Sequence, residues 1–512
     1  MAGTIANLRR LYAIARILAK YDVLFPLEPL PAAALPLAVL RRLVKPAVGG
    51  APGERLAGAF QSLGPSFIKL GQTLSTRPDL LGEDIARALA DLQDHLPPFD
   101  GAEARAAVEE QLDASIEELF SAFEDEPAAA ASIAQVHFAV TTDGREVAVK
   151  VLRPGIEHAF AADIDLFLWL ARIVERRRPE LRRLKPVDVI QTFEGSVRLE
   201  MDLRLEAAAA QELAENFADD PAYRVPEVDW QRTARRVLTI ERIAGVPIDE
   251  RDQLLAAGHD LEDLLARAGA IFFKQVFRDG FFHADQHPGN LFVDEDGNLV
   301  AVDFGIMGRL DAPTRRYLGE MLMSFLERNY RRAAEVHFEA GYVPSRHSVD
   351  AFTQALRSIA EPILDRPQNE ISIAKLLAHL FQVTETFDME TQPQLLLLQK
   401  TMLVTEGVGR TLCPDLNVWF LAQALVDDWV ADHMGAEARL LEAADEIAGG
   451  LRRLPRMVEN MERSAEALAG GGVRLHPESL DAFSAAPSRK RPAAVYIAVA
   501  VLAVILGVAA LS

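Results

Sequence analysis

The spacing of apolar positions changes period several times along the chain. Over residues 4–20, Ile5, Leu8, Leu11, Tyr12, Ala15 and Leu18 recur at helical spacing, with Arg9, Arg16 and Lys20 clustered on another face and Arg10 further round. Ile14 and Ile17 fall outside this stripe. Such a helix suits either an anionic membrane surface or a protein surface. Residues 23–40 are apolar, but Pro26, Pro29, Pro31, Pro36 and Glu28 argue against a spanning helix. Residues 51–125 carry helical patterns and few β-branched runs. Strand signals follow: Gln135–Thr142 and Glu146–Leu152 flank Asp143-Gly144, a hairpin turn signature, and Arg235–Ile240 is a further strand. Beyond residue 250 helical patterns dominate. They are broken mainly by the runs 291–293 and 299–302, which flank Asp294–Asn298 with its Asp-Gly pair. A linker containing Gly, Ser and Pro occupies 470–492. Ala493–Leu511 is uncharged and long enough to cross a bilayer, and Arg489, Lys490 and Arg491 on its N-terminal flank predict a cytoplasmic location for that side.

These patterns predict an α+β chain: an N-terminal extension (1–50), a helical segment (51–127), a small lobe with strands (128–245), a larger helical lobe (246–469), the linker (470–492) and a transmembrane helix (493–511). The 512 residues suffice for about two to three domains. A net charge of −21 argues against nucleic acid as the main partner. The one cysteine, Cys413, excludes an internal disulfide and fits a reducing cytosol.

The chemistry concentrates in HADQHPGNLFVDEDGNLVAVDFG, residues 283–305. Asp285 and Asn290 have the Asp-x4-Asn spacing of a kinase catalytic loop, and Asp303-Phe304-Gly305 is a DFG triplet. The intervening hairpin is expected to bring Asn290 and Asp303 to one end, where their oxygens suit Mg²⁺. Asp285 can then act as base or orienting group. Ala284 stands where ordinary protein kinases have arginine. A metallohydrolase with His283, Asp285 and His287 as ligands is the chemical rival, and it leaves Asn290 and the DFG hairpin unexplained. Val147-Ala148-Val149-Lys150 matches the kinase VAIK strand, whose lysine reaches the ATP phosphates. Before it, Ala130, Ala131, Ser132, Ile133 and Ala134 occupy the place of a glycine-rich phosphate loop, with alanine's narrower range of φ. Glu241 and Ile243, after the third strand, are further nucleotide-binding candidates. The segment 198–211 supplies Glu200, Asp202 and Glu206. As one helix it puts 202 and 206 on one face and turns 200 away by about 160°. Lys69 and Gln72 share a face one turn apart, with Gly71 between them.

Together these residues resemble the UbiB family of atypical kinases, also called AarF or ADCK, over roughly residues 55–420. The resemblance rests on KLGQ at 69–72, AAASIAQVH at 129–137, VAVK at 147–150, Glu200-x-Asp202-xxx-Glu206, HADQHPGN at 283–290 and DFG at 303–305. It implies a two-lobed protein-kinase-like fold with an N-terminal helical extension bearing the KxGQ motif. It also implies that Lys150 pairs with Glu206 at the ATP phosphates, that Asn290 and Asp303 bind Mg²⁺, and that Asp285 is the catalytic base. Lys69 and Gln72 would fold over the site and engage Glu200 and Asp202, closing the surface where a kinase binds peptide. Gln286 replaces the proline common in the family loop, Ala134 a frequent glycine and Ala209 a frequent asparagine, and a single span stands where many bacterial members have two.

The function implied is that of a membrane-anchored ATPase or atypical kinase supporting ubiquinone biosynthesis. It would sit on the bacterial inner membrane with its catalytic part in the cytoplasm, act on or present lipid and quinone intermediates, and meet other biosynthetic proteins. A true protein or small-molecule kinase, and an ATP-binding scaffold of a biosynthetic complex, are the alternatives.

Overall fold

The computed structural model describes residues 2–23, 49–75, 97–177, 186–362 and 393–413, together with 85, 88, 89, 92, 379, 382–384 and 386–389. Ala493–Leu511 and the linker lie outside these residues. Among the described residues no helix is long and apolar enough to cross a membrane.

Among the described residues, the fold opens with α1 (Ala2–Lys20), α2 (Pro52–Leu63) and α3 (Pro65–Ser75). Then come α4 (Gly101–Leu112), the short α5 (Ile116–Leu119) and strands β1 (Phe120–Phe123), β2 (Ala129–Ala130), β3 (Ala134–Thr141) and β4 (Glu146–Leu152). Helices α6 (Ile156–Arg177), α7 (Pro186–Glu200) and α8 (Leu203–Asn216) lead to β5 (Tyr223–Arg224), β6 (Val237–Glu241) and β7 (Val246–Pro247). The remaining elements are α9 (Arg251–Ala256), α10 (Leu261–Phe273), β8 (Phe281–His283), β9 (Leu291–Val293), β10 (Leu299–Ala301) and β11 (Met307–Arg309). Among the described residues, α11 (Ala312–Leu326), α12 (Tyr330–Glu339), α13 (Val349–Ala360) and α14 (Pro393–Leu412) follow.

An antiparallel sheet in the order β1-β3-β4-β6, with β2 beside β3, forms the small lobe. It begins at Phe120, ahead of the boundary expected at 128, because β1 pairs with the far end of β3. The β3–β4 hairpin turns at Gly144, whose φ of 88° suits glycine. Alternation along β4 places Val147, Val149 and Val151 in a buried cluster with Phe120, Phe123 and Val237. Lys150 therefore faces the other way. A second sheet, β5-β10-β9-β7, belongs to the larger lobe, and residues 242–245 join the two sheets between β6 and β7.

Helix α1 packs on the protein. Leu11, Ile14, Ala15, Leu18 and Ala19 are buried, and Arg10 holds the carboxylate of Asp163 on α6 with two bonds of 2.7 and 2.9 Å. Ile14, outside the expected stripe, is fully buried, in one core cluster with Leu56, Ala59 and Phe60 of α2. The expected helix over 198–211 is interrupted. One helix ends at Glu200, and Asp202 caps a new helix by accepting from the Arg204 amide at 3.2 Å. Glu200 thus ends α7 and Glu206 belongs to the first turns of α8, so ideal-helix angles do not relate them.

Strands β8 and β11 pair across the catalytic loop, with Gly308 opposite Phe282. A methyl group on Gly308 would lie 2.1 Å from the Phe282 ring, which is fully buried. Gly308→Ala is expected to lower folding stability by about 1–3 kcal/mol through overpacking. Thermal unfolding checks this, and an unchanged midpoint would show that the Phe282 ring is not held as described.

Candidate active site

Lys150 is the centre of the site. Its ammonium donates to Glu206 Oε1 at 2.7 Å and lies 3.1 Å from Asp303 Oδ2, which joins β4, α8 and the DFG turn. Burial opposes the lysine charge, but Asp303 and Glu206 hold the ammonium above its ordinary value. Loss of solvation around the Asp303 carboxylate opposes its charge, yet Lys150, by charge and hydrogen bond, keeps this half-exposed group below the usual range. Glu206 is raised by burial against the pull of Lys150.

The hairpin places Asn290 and Asp303 at the same end: Leu291 pairs with Ala301, and the Val302 amide donates to Asn290 O at 2.9 Å. Gly297 closes the turn with φ 79°. Asp303 adopts φ 62°, uncommon for a residue other than glycine, and its Oδ1 accepts from the Gly305 amide at 3.2 Å. Asn290 donates its side-chain amide to Asp285 O at 3.0 Å, which directs its carbonyl oxygen elsewhere. One carboxylate and one amide oxygen at a hairpin end are the hard donors that Mg²⁺ takes alongside phosphate oxygens and water.

His283 is buried beneath the loop. Its Nδ1 accepts from the Asp285 amide at 3.2 Å, so Nε2–H donates to Val302 O at 3.3 Å. His287 Nδ1 accepts from the Gly289 amide at 3.2 Å. Both nitrogens of His283 are committed, which removes it as a ligand, and no cluster of metal-ligating His, Cys, Asp and Glu occurs among the described residues. The metallohydrolase reading therefore has no support.

The alanine-rich loop is a tight hairpin between β2 and β3, closed by the Ala131 amide on Ala134 O at 2.8 Å. Ala130, Ala131 and Ile133 are half-buried, while Ser132 and Ala134 are buried. Gln135 anchors it by accepting from the Phe99 amide and donating to Phe99 O and the His137 ring, a role not anticipated for this residue. Glu241 ends β6 with its carboxylate on Arg224, and half-buried Ile243 follows in the connection between the sheets. There Gly245 lets the chain pass the Val293 carbonyl, which a Cβ would approach to 2.7 Å.

On α3, Lys69 meets Glu200 at 2.6 Å, both side chains largely covered. Gln72 lies on the same helix, half-buried. Asp202 is engaged by the Arg204 guanidinium at 2.9 and 2.7 Å, because capping α8 turns its carboxylate onto that residue. The structure thus brings Lys69 to Glu200 and ties Asp202 locally. A residue missed entirely is Lys400 on α14, whose ammonium donates to Asp285 Oδ1 at 2.6 Å. No spacing in the chain signals it, since the partners are 115 residues apart.

Comparison with known proteins identifies the family. Residues 91–337 match the ABC1 atypical kinase-like domain and 356–417 the UbiB helical domain. The chain is 42% identical over 461 residues to the "Probable protein kinase UbiB" of Marinobacter nauticus, covering 88% of this chain and 84% of that protein. The chain belongs to the UbiB family. The UbiB protein of Azotobacter vinelandii, under the same description, is 45% identical over 415 residues, covering 80% of this chain and 76% of that one. Among solved structures, the complex of Rv3197 with erythromycin from Mycobacterium tuberculosis is similar, with TM-score 0.50 and 27% identity over 70% of this chain and 90% of that chain. The α+β kinase-like domain implies ATP binding.

Burial holds His283 below its ordinary value of 6.5. Below that pH the unfolded chain binds a proton that the folded chain refuses, so the stabilisation is complete above 6.5 and is lost as pH falls through the depressed folded value. His283→Asn is expected to reduce the fall in unfolding free energy between about pH 7 and pH 5, a slope of at most ~1.4 kcal/mol per pH unit for one group. Denaturant titrations at both pH values measure it; parallel losses in the two proteins would remove His283 from the acid response.

Proposed function

We propose that this chain is a Mg²⁺-dependent ATPase or atypical kinase that supports ubiquinone biosynthesis at the bacterial inner membrane. The observation that carries the reading is Lys150 bound between Glu206 and Asp303, beside a loop that carries Asp285 and Asn290. The presence of Lys150, Asp285, Asn290 and Asp303 together supports turnover over an ATP-binding scaffold. Asn290 and Asp303 would hold Mg²⁺, which neutralises phosphate charge when bound. Lys150 presents its ammonium to phosphate oxygens, and Glu206 keeps it from swinging away. Asp285 orients the attacking hydroxyl or water and accepts its proton. The hairpin at 129–137 borders the nucleotide.

Acceptor choice rests on the N-terminal helices. The Lys69–Glu200 pair ties α3 to the end of α7, just before the helix that carries Glu206. That favours a lipid or quinone intermediate, or water, over an extended peptide. The uncharged stretch 493–511 and its basic flank support a membrane anchor with the catalytic part in the cytoplasm. A protein acceptor is the second reading, favoured by the description of the relatives as probable protein kinases.

Asp303→Asn removes a carboxylate charge from the metal and is expected to lower ATP turnover of the purified full-length protein by at least about 100-fold. Equal rates would end the enzymatic reading. In a deletion strain, wild type but not the variant should restore the quinone profile and clear an early precursor. Restoration by the variant would separate the pathway role from ATP chemistry.

A further inference from the structure

Asp285 is the group nearest the chemistry under the proposed function, and its carboxylate is held from outside the kinase-like domain. Lys400 Nζ donates to Oδ1 at 2.6 Å from α14, within the matched UbiB helical domain. We infer that Lys400 is a positioning residue for Asp285: the helical domain supplies the cation that sets the rotamer and offsets the charge of the catalytic carboxylate. The inference rests on the phosphotransfer reading above.

Three observations support it. First, the loop 283–290 contains no lysine or arginine, and fully buried Ala284 occupies the position next to Asp285 where an arginine would otherwise stand. Second, the backbone of Asp285 is already fixed. Its amide donates to His283 Nδ1, and its carbonyl accepts from the His287 amide at 2.7 Å and from Asn290 at 3.0 Å. Only side-chain rotation is left to set, and Lys400 sets it at one oxygen. Third, α14 is seated by apolar packing. Leu398 shares a buried cluster with Phe282, Ala284 and Leu310, and Leu395 and Leu397 pack against that cluster. The ammonium is therefore delivered from a helix docked on the same layer that carries the loop, unlike a pair between two free surface side chains.

The charge pattern adds a reason for the cation. Glu206, Asp285 and Asp303 are three carboxylates where a polyanionic triphosphate has to enter. Lys150 answers Glu206 and Asp303, and Lys400 answers Asp285. Without Lys400 the Asp285 carboxylate would face phosphate oxygens uncompensated and turn away from them.

The test is steady-state ATP hydrolysis by full-length wild type, Asp303→Asn, Lys400→Met and Lys400→Arg, with thermal midpoints measured alongside. Wild-type turnover that depends on Asp303 establishes the underlying reading. Lys400→Met is then expected to lower kcat by about 10–100-fold with KM for ATP changed by less than about 3-fold, a loss confined to the transition state. Lys400→Arg, which keeps the cation, should recover most of the rate. In an Asp285→Asn background Lys400→Met should add little, since the two act as one unit. Wild-type kcat in Lys400→Met overturns the inference alone. So does a loss that persists in full in the Asp285→Asn background, or one that Lys400→Arg does not relieve, because each marks a structural role. Turnover in the wild type no greater than in Asp303→Asn overturns the proposed function, and this inference with it.

Discussion

The ammonium of Lys150 between two carboxylates is the contact on which the arrangement of the site depends. It joins three elements of separate origin: a strand of the upper sheet, a helix that continues from α7, and the turn after the lower hairpin. A buried charge left without its partner costs several kcal/mol, so the fold must present both carboxylates to the lysine at once. Much of the surrounding structure meets that demand. Alternation in β4 sends the valines into one core and Lys150 out of it, and the break at Met201 sets α8 so that Glu206 faces inward.

Around this contact, different physical means hold the other groups. Asp303 is fixed by backbone geometry, a left-handed residue whose own side chain caps the glycine amide two positions on. Asp285 is held by the neutral tautomer of a buried histidine below and by a lysine from the helical domain beside it. Lys69 is held by Glu200 at the end of α7, the residue just before the break that begins the helix of Glu206. The small-lobe sheet supplies Lys150, the turn after the β9–β10 hairpin Asp303 and the helical domain Lys400, while the N-terminal helices supply Lys69 to the end of α7.

The parts of this arrangement legible in the sequence were those encoded within a few residues. Asp-Gly pairs flanked by apolar runs specify hairpins, because few residues other than glycine accept the required φ. Period-two alternation specifies which face of a strand is buried. The spacing of Asp285, Asn290 and Asp303 is likewise local, since one short hairpin lies between them. The alanine-rich loop was recognised as a loop from its place before a strand, although its composition alone favours helix. The tie between Gln135 and Phe99 that holds this loop could not be read, because a glutamine in a strand carries no mark of its distant partner.

Where sequence reasoning went astray, the deciding interaction was long-range or cooperative. The acidic segment at 198–211 has unbroken helical composition, yet Asp202 caps a second helix there with extended backbone, and the Leu203 amide turns to the distant Arg235 carbonyl. Ile14 is buried, although the periodic stripe excludes it, because the docking of α1 on α2, not the pattern, selects the helix face. Sequence by itself determined the family, the strand that carries Lys150 and the loop that carries Asp285, since each is written in contiguous residues. Only tertiary structure decided that Lys69 answers Glu200, that Asp202 turns to Arg204 and that Lys400 answers Asp285. Those pairings follow from how apolar helix faces pack against one another, and packing of that kind sets the distance between side chains without leaving a fixed interval along the chain.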